Sequence, residues 1–150
     1  MPFEEKVTWV SAVVSVLVSA VYFAVVAGQL DSGPVSEIAY QRWMLIAVGA
    51  TIAMTIVGSI MAGIGTGISA EITGNGSLED IGMKDERDER INRRGELVAF
   101  YVASVGALVV LALAMLRSDQ FWIANALYLT FVVAGLVSSA VKLVAYRRGI

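Results

Sequence analysis

The sequence predicts an all-α integral membrane protein: a four-helix transmembrane bundle with a charged cytosolic helical extension leading into the third span. Two observations carry this. Of the 150 residues, 57% are hydrophobic and 16% charged, with a mean hydropathy of +0.74, whereas a water-soluble domain carries about 25% charged residues. The charges are also segregated. A block running MKDERDERINRRGE, from Met83 to Glu96, lies among four long apolar stretches that hold almost none.

The spans are drawn at about Val7–Gly28, Trp43–Ser69, Leu97–Leu116 and Phe121–Tyr146. Each is close to or above the roughly 20 residues that cross about 30 Å of hydrocarbon at about 1.5 Å per residue. The first follows Glu4-Glu5-Lys6, which is not a basic leader, and exceeds the apolar core of a signal peptide. It is therefore expected to remain as an uncleaved span. Gly33-Pro34 breaks the chain before the second span, and Ser36 is placed as the cap of the helix entering it. The second span ends in a glycine-rich stretch. From Lys84 only Gly95 interrupts a helical pattern before Arg117, so the third span is expected to start as a charged helix outside the membrane, within a cytosolic segment of about residues 70–96. Arg117 to Gln120 is so short that the third and fourth spans must form an antiparallel hairpin. The whole chain forms one membrane domain, too short for spans plus a separate folded unit.

Orientation follows from Lys and Arg. Lys6, Lys84, Arg87, Arg90, Arg93, Arg94, Arg147 and Arg148 fall on one side, and only Arg42 and Arg117 on the other. The positive-inside rule puts both termini and the charged block in the cytoplasm, and the membrane is expected to be the plasma membrane. Tyr40, Trp43, Phe121 and Trp122 are read as the outer aromatic belt, with Trp9 and Tyr146 as the inner one.

Composition removes most chemistry. With no Cys and no His, there is no thiolate nucleophile, no disulfide, and neither of the commonest soft metal ligands nor the commonest general base. No enzyme activity and no cofactor are expected, and a net charge of −2 offers no field for nucleic acid.

Three features could carry function. Small residues recur every four positions: Thr51, Thr55, Ser59, Gly63 and Gly67 on the second span, Ser11, Ser15 and Ser19 on the first, Ala126, Thr130, Ala134 and Ser138 on the fourth. In lipid this spacing lets backbones approach and hydroxyls bridge helices, so the stripes are read as packing surfaces, with a hydroxyl-lined path as the alternative. Lys142, one turn from the Tyr146-Arg-Arg148 run, is read as snorkelling to headgroups. In the charged block, Asp85, Asp88, Glu89, Asn92 and Glu96 fall on one helical face and Arg87, Arg90 and Arg94 on the opposite one. The docking set is Asp85, Arg87, Asp88, Glu89, Arg90 and Arg94, whose faces would meet complementary faces of a second copy or another membrane protein. A solvated, headgroup-contacting extension and a divalent-cation site on the acidic face are the other readings.

Asp85-Glu-Arg-Asp-Glu-Arg-Ile91 ahead of a span, Phe121-Trp-Ile-Ala-Asn125 and the closing Tyr146-Arg-Arg-Gly149 together resemble a family of small predicted four-span membrane proteins of prokaryotes, of uncharacterised function. The resemblance covers nearly the whole chain. It implies a prokaryotic plasma-membrane location and supplies no activity and no site residues. The function expected is that of a non-enzymatic membrane protein acting by association, as a homo-oligomer or a small subunit of a complex. A small oligomeric channel or transporter with a Ser/Thr-lined path is the alternative.

Overall fold

A computed structural model describes residues 3–30, 33–73 and 86–148, with backbone alone for 66–73. Four long helices make up nearly all of it: α1 (Phe3–Leu30), α2 (Tyr40–Thr73), α3 (Glu86–Met115) and α4 (Gln120–Arg148). Each is long and apolar enough to cross a membrane. α1, α2 and α4 extend past the apolar stretches read from sequence at both ends and α3 at its start, where backbone hydrogen bonding continues through polar residues that hydropathy discounts, while α3 stops at Met115, one residue short. α3 runs unbroken from Glu86 through the charged residues into its apolar part.

The helices do not close into a ring. α1 packs on α2 and on α4, α4 packs on α3, and no comparable contact joins α2 to α3 among the described residues. The order across the array is therefore α2–α1–α4–α3, with two inner and two outer helices. Neighbours run antiparallel: Gly58 of α2 meets Val10 of α1, Gly63 meets Phe3, Gly106 of α3 meets Thr130 of α4, and Gly95 meets Lys142 and Ser138. The starts of α1 and α3 and the end of α4 thus gather at one end of the array.

The connection between α1 and α2 departs from the expected cap. Ser36 lies in a single 3-10 turn, Val35–Glu37, and α2 begins only at Tyr40. Pro34 (φ −64°, ψ 144°) starts the turn, and its carbonyl accepts from the Glu37 N–H at 3.0 Å. Ile38 then turns extended (ψ 122°), which ends the turn and lets Ile38 and Tyr40 drop into the core under Phe121. Ser36 is thus too far from α2 to cap it; burial of the two apolar side chains sets where the helix starts.

The α3–α4 turn is closed by a Schellman motif. The Ser118 N–H donates to the Leu113 carbonyl at 3.0 Å and the Arg117 N–H to the Ala114 carbonyl at 3.1 Å. The motif needs a left-handed residue, usually glycine, and here Arg117 supplies it at φ 54°. A side chain in that conformation costs roughly 1–2 kcal/mol. Arg117→Gly should therefore be about 1 kcal/mol more stable than Arg117→Ala, since both remove the same charge and only glycine relieves the backbone. Equal unfolding midpoints for the two would show that the turn relaxes out of this conformation.

Candidate functional site

The start of α3 holds the charged residues singled out above, and the structure divides them. Ile91, the one apolar residue in the block, is 1% exposed and packs with Ala145 and Tyr146 at the end of α4. Gly95, one turn on, is also buried: a Cβ there would lie 2.5 Å from Lys142 Cε and 3.0 Å from Ser138 Oγ. At about 100° per residue the Ile91–Gly95 line runs between the acidic and basic faces, beside Asp88 on one and Arg87 on the other. The acidic and basic residues keep to opposite sides of the helix, and the contact with α4 encloses the edge where the two sides meet. Arg87 and Asp88 flank the buried line and are half-buried, whereas Glu89, Arg90 and Arg94 are exposed. Asp85 lies outside the described residues. For the described acids, the expected carboxylate face also divides: Asp88 turns inward and Glu89 outward. Among the described residues no three metal-ligating side chains come together.

Inward, this end joins three helices. The Tyr146 hydroxyl lies in electrostatic range of Asp88, Glu4 and Arg87. It is enclosed and faces the Asp88 side chain, whereas Arg87 Nε is enclosed and makes no hydrogen bond among the described residues. An enclosed polar group without a partner costs about 1–3 kcal/mol, so burial of Ile91 is what holds this junction. Arg147 sits 5.9 Å over the Trp9 ring, a cation–π contact tying the end of α4 to the start of α1. Outward, Glu86, Glu89, Arg90 and Arg93 line one surface groove.

At the far end, a core of Tyr22, Val26, Ile38, Tyr40, Ala47, Phe121 and Tyr128 joins α1, α2 and α4. Its rings meet edge-on, with Tyr22–Tyr128 centroids 4.9 Å apart and Tyr40–Phe121 5.3 Å apart. The Tyr22 hydroxyl donates to Asn125 Oδ1 at 2.7 Å, and Asn125 Nδ2 donates to the Phe121 carbonyl at 2.8 Å. Tyr40 and Phe121, read from sequence as belt residues, are 6% and 4% exposed: they are core. So is Tyr146, at 9%, while Trp43 and Trp122 remain exposed. Aromatic identity alone does not separate a ring that packs from one that faces headgroups.

The small-residue stripe of α2 is half-buried at Thr51, Thr55, Ser59 and Gly63, and the surroundings of Gly67 lie outside the described residues. Two of its hydroxyls turn back on their own helix: Thr51 donates to the Ala47 carbonyl at 2.9 Å and Ser59 to the Thr55 carbonyl at 2.7 Å. Ser19 on α1 and Thr130 on α4 do the same, to Ser15 at 2.6 Å and Ala126 at 2.8 Å. Two lateral grooves flank α1, one of about 260 Å³ touching Ser15, Thr51 and Tyr128 and one of about 290 Å³ beside Trp43 and Met54. Their walls are otherwise almost wholly aliphatic and aromatic.

Two close approaches escaped the four-residue spacing. Gly58 meets Val10, and Gly106 meets Thr130. The Tyr22–Asn125 bond also escaped, although a carboxamide within an apolar span is itself a signal that a partner is near. Removing that partner should be measurable. Tyr22→Phe leaves the Asn125 carbonyl oxygen bare, and we expect a loss of about 0.6–1.7 kcal/mol in detergent unfolding. Adding Asn125→Leu to Tyr22→Phe should recover part of the loss, and strictly additive losses would rule out coupling between the two.

Comparison of the chain with protein families, with curated proteins and with solved structures gives no match.

Proposed function

We propose that this chain is a non-enzymatic integral membrane protein of a prokaryotic plasma membrane, with both termini cytoplasmic. It acts by association, as a homo-oligomer or a small subunit of a membrane complex, and the outward side of the α3 start is its docking element. The observation that carries the reading is that, among the described residues, α4 is the one helix packed extensively on α3, and it covers a single side. Its uncovered side presents three acids (Glu86, Glu89, Glu96) and three bases (Arg90, Arg93, Arg94), all exposed. Below them, Leu97, Phe100 and Tyr101 are exposed as well. The family resemblance in the three sequence motifs supports the location. The channel reading has less support, because four of the hydroxyls it would use, those of Ser19, Thr51, Ser59 and Thr130, already donate within their own helices.

Native mass spectrometry of the full chain released from lipid nanodiscs, together with a liposome flux assay, tests this. A stable oligomer or a co-purifying subunit, without ion flux, is the expected result. A monomer with no companion would overturn it, and dye-reported cation flux would favour the channel. The orientation has its own check. The chain has no cysteine, so single-cysteine variants report without background. Gly33→Cys and Asp119→Cys should react with an impermeant maleimide on intact cells, and Arg93→Cys only after permeabilisation. The reverse pattern would invert the topology.

A further inference from the structure

We infer that the outward face of α3 is a self-association seam, along which two copies of the chain pair α3 to α3, in parallel, about a two-fold axis normal to the membrane. This rests on the association reading and names the partner and the surface.

The seam is a heptad. Leu97, Phe100, Ser104, Ala107, Leu111 and Ala114 follow one another at alternating steps of three and four, the spacing that keeps one line of a helix against a parallel partner. The line lies opposite the buried Ile91–Gly95–Gly106 side that α4 covers. Its large members are bare: Leu97, Phe100 and Leu111 are 54%, 65% and 55% exposed. Its small members, Ser104, Ala107 and Ala114, sit where two backbones would need to approach. Ser104 Oγ donates to the Phe100 carbonyl at 2.8 Å, so it brings a satisfied hydroxyl to the contact. The exposed side of α2 differs. Leu45, Ile52, Ile56 and Ile60 stand on it with Gly49 open among them, and no charged residue falls between Trp43 and Ala70 to set a register. Such a face suits lipid.

Charge and register select a second copy as the occupant. Copies inserted by the same charge rule lie parallel, and in a parallel two-stranded pair the residue flanking the seam on one helix meets the residue five positions later on the other. In this frame Glu89 faces Arg94 of the second copy, and Glu96 faces Tyr101 of the second copy. Both pair an acceptor with a donor, and symmetry repeats each. All four are exposed. Arg90 and Arg93 fall on the seam at its aqueous end, where long stems can bend outward toward Glu86 and Glu89 across the groove those four side chains line. Three acids and three bases leave the face without net charge, and Arg90 and Arg93, which the two-fold axis sets against their own counterparts, relieve that repulsion by bending outward to those acids.

Disulfide cross-linking of full-length single-cysteine variants in native membranes tests the seam. Ser104→Cys and Ala107→Cys should give an adduct of twice the chain mass under mild oxidant, and Ile56→Cys on α2 should not. In the Ser104→Cys background, Glu89→Arg or Arg94→Glu should lower the dimer fraction about five-fold, and the double reversal should restore it. Native mass spectrometry on the same samples separates two failures. An oligomer that cross-links through Ile56→Cys and not through α3 overturns the seam and leaves association standing. A monomer overturns both. An adduct of any other mass assigns the face to a different protein and overturns the seam. Dimers indifferent to both charge reversals also overturn it, since register would then come from elsewhere.

Discussion

Ile91→Ala should be among the most destabilising single substitutions in the protein, at about 2–5 kcal/mol, although it sits within a run of charged residues. Ile91 is 1% exposed and closes the contact between the first turns of α3 and the Ala145–Tyr146 end of α4. Truncation leaves a cavity beside two enclosed polar groups, the Tyr146 hydroxyl and Arg87 Nε, the latter without a hydrogen bond among the described residues. Nothing at that junction can collapse to fill it without moving a charge. Glu89→Ala and Arg90→Ala, one or two residues away and exposed, should stay within about 0.5 kcal/mol of the parent. Denaturant titration in micelles compares the three directly. An Ile91→Ala midpoint matching those of its neighbours would mean that the α3 start stands free of α4.

Gly106→Ala should cost about 1–3 kcal/mol, more than Gly95→Ala. A Cβ at Gly106 would overlap the Thr130 side chain at Cγ2 and Oγ1 and come within 2.8 Å of its Cβ. Thr130 is short and β-branched, and its hydroxyl is held by the Ala126 carbonyl, so it has no free rotamer to retreat into. The helices themselves must separate. At Gly95 the nearest atoms belong to the flexible stem of Lys142, which can swing aside. Thr130→Ala should relieve part of the Gly106→Ala loss by removing Cγ2 and Oγ1. Unfolding midpoints of the two glycine variants in one detergent decide the order. Equal losses would show that the α3–α4 contact is loose enough to absorb a methyl group anywhere along it.

The fold class was legible because its signals are long. Four stretches of about 20 or more apolar residues leave helices as the only spanning solution in lipid, and the Arg117–Gln120 turn forces the last two together. What sequence could not supply is which face of each helix meets which neighbour. Hydropathy treats Ile91 as one apolar residue among charges, yet with Gly95 it marks the side turned to α4. The four-residue stripes caught Gly63 and missed Gly58 and Gly106, because where helices cross closely depends on tilt, and i, i+4 repetition alone does not fix tilt. Tyr40, Phe121 and Tyr146 read as belt residues for the same reason: depth in the membrane is legible from position along the chain, and facing is not. The candidate docking residues were found as a group. Their division into an inward pair, Arg87 and Asp88, and an outward set required the α4 contact to be seen.

The order α2–α1–α4–α3 also bears on biogenesis. Sequence neighbours α1–α2 and α3–α4 form two antiparallel hairpins, and α1 against α4 is the one extensive contact between them among the described residues. During synthesis, the first hairpin can leave the insertion machinery and pair locally, but its inner face stays bare to lipid until the last helix arrives. The Tyr22–Asn125 bond and the rings around it are therefore a late event, a latch that closes only once α4 has been made and inserted. Severed between the hairpins, the protein should behave as two separately inserted fragments that find each other in the bilayer through that latch.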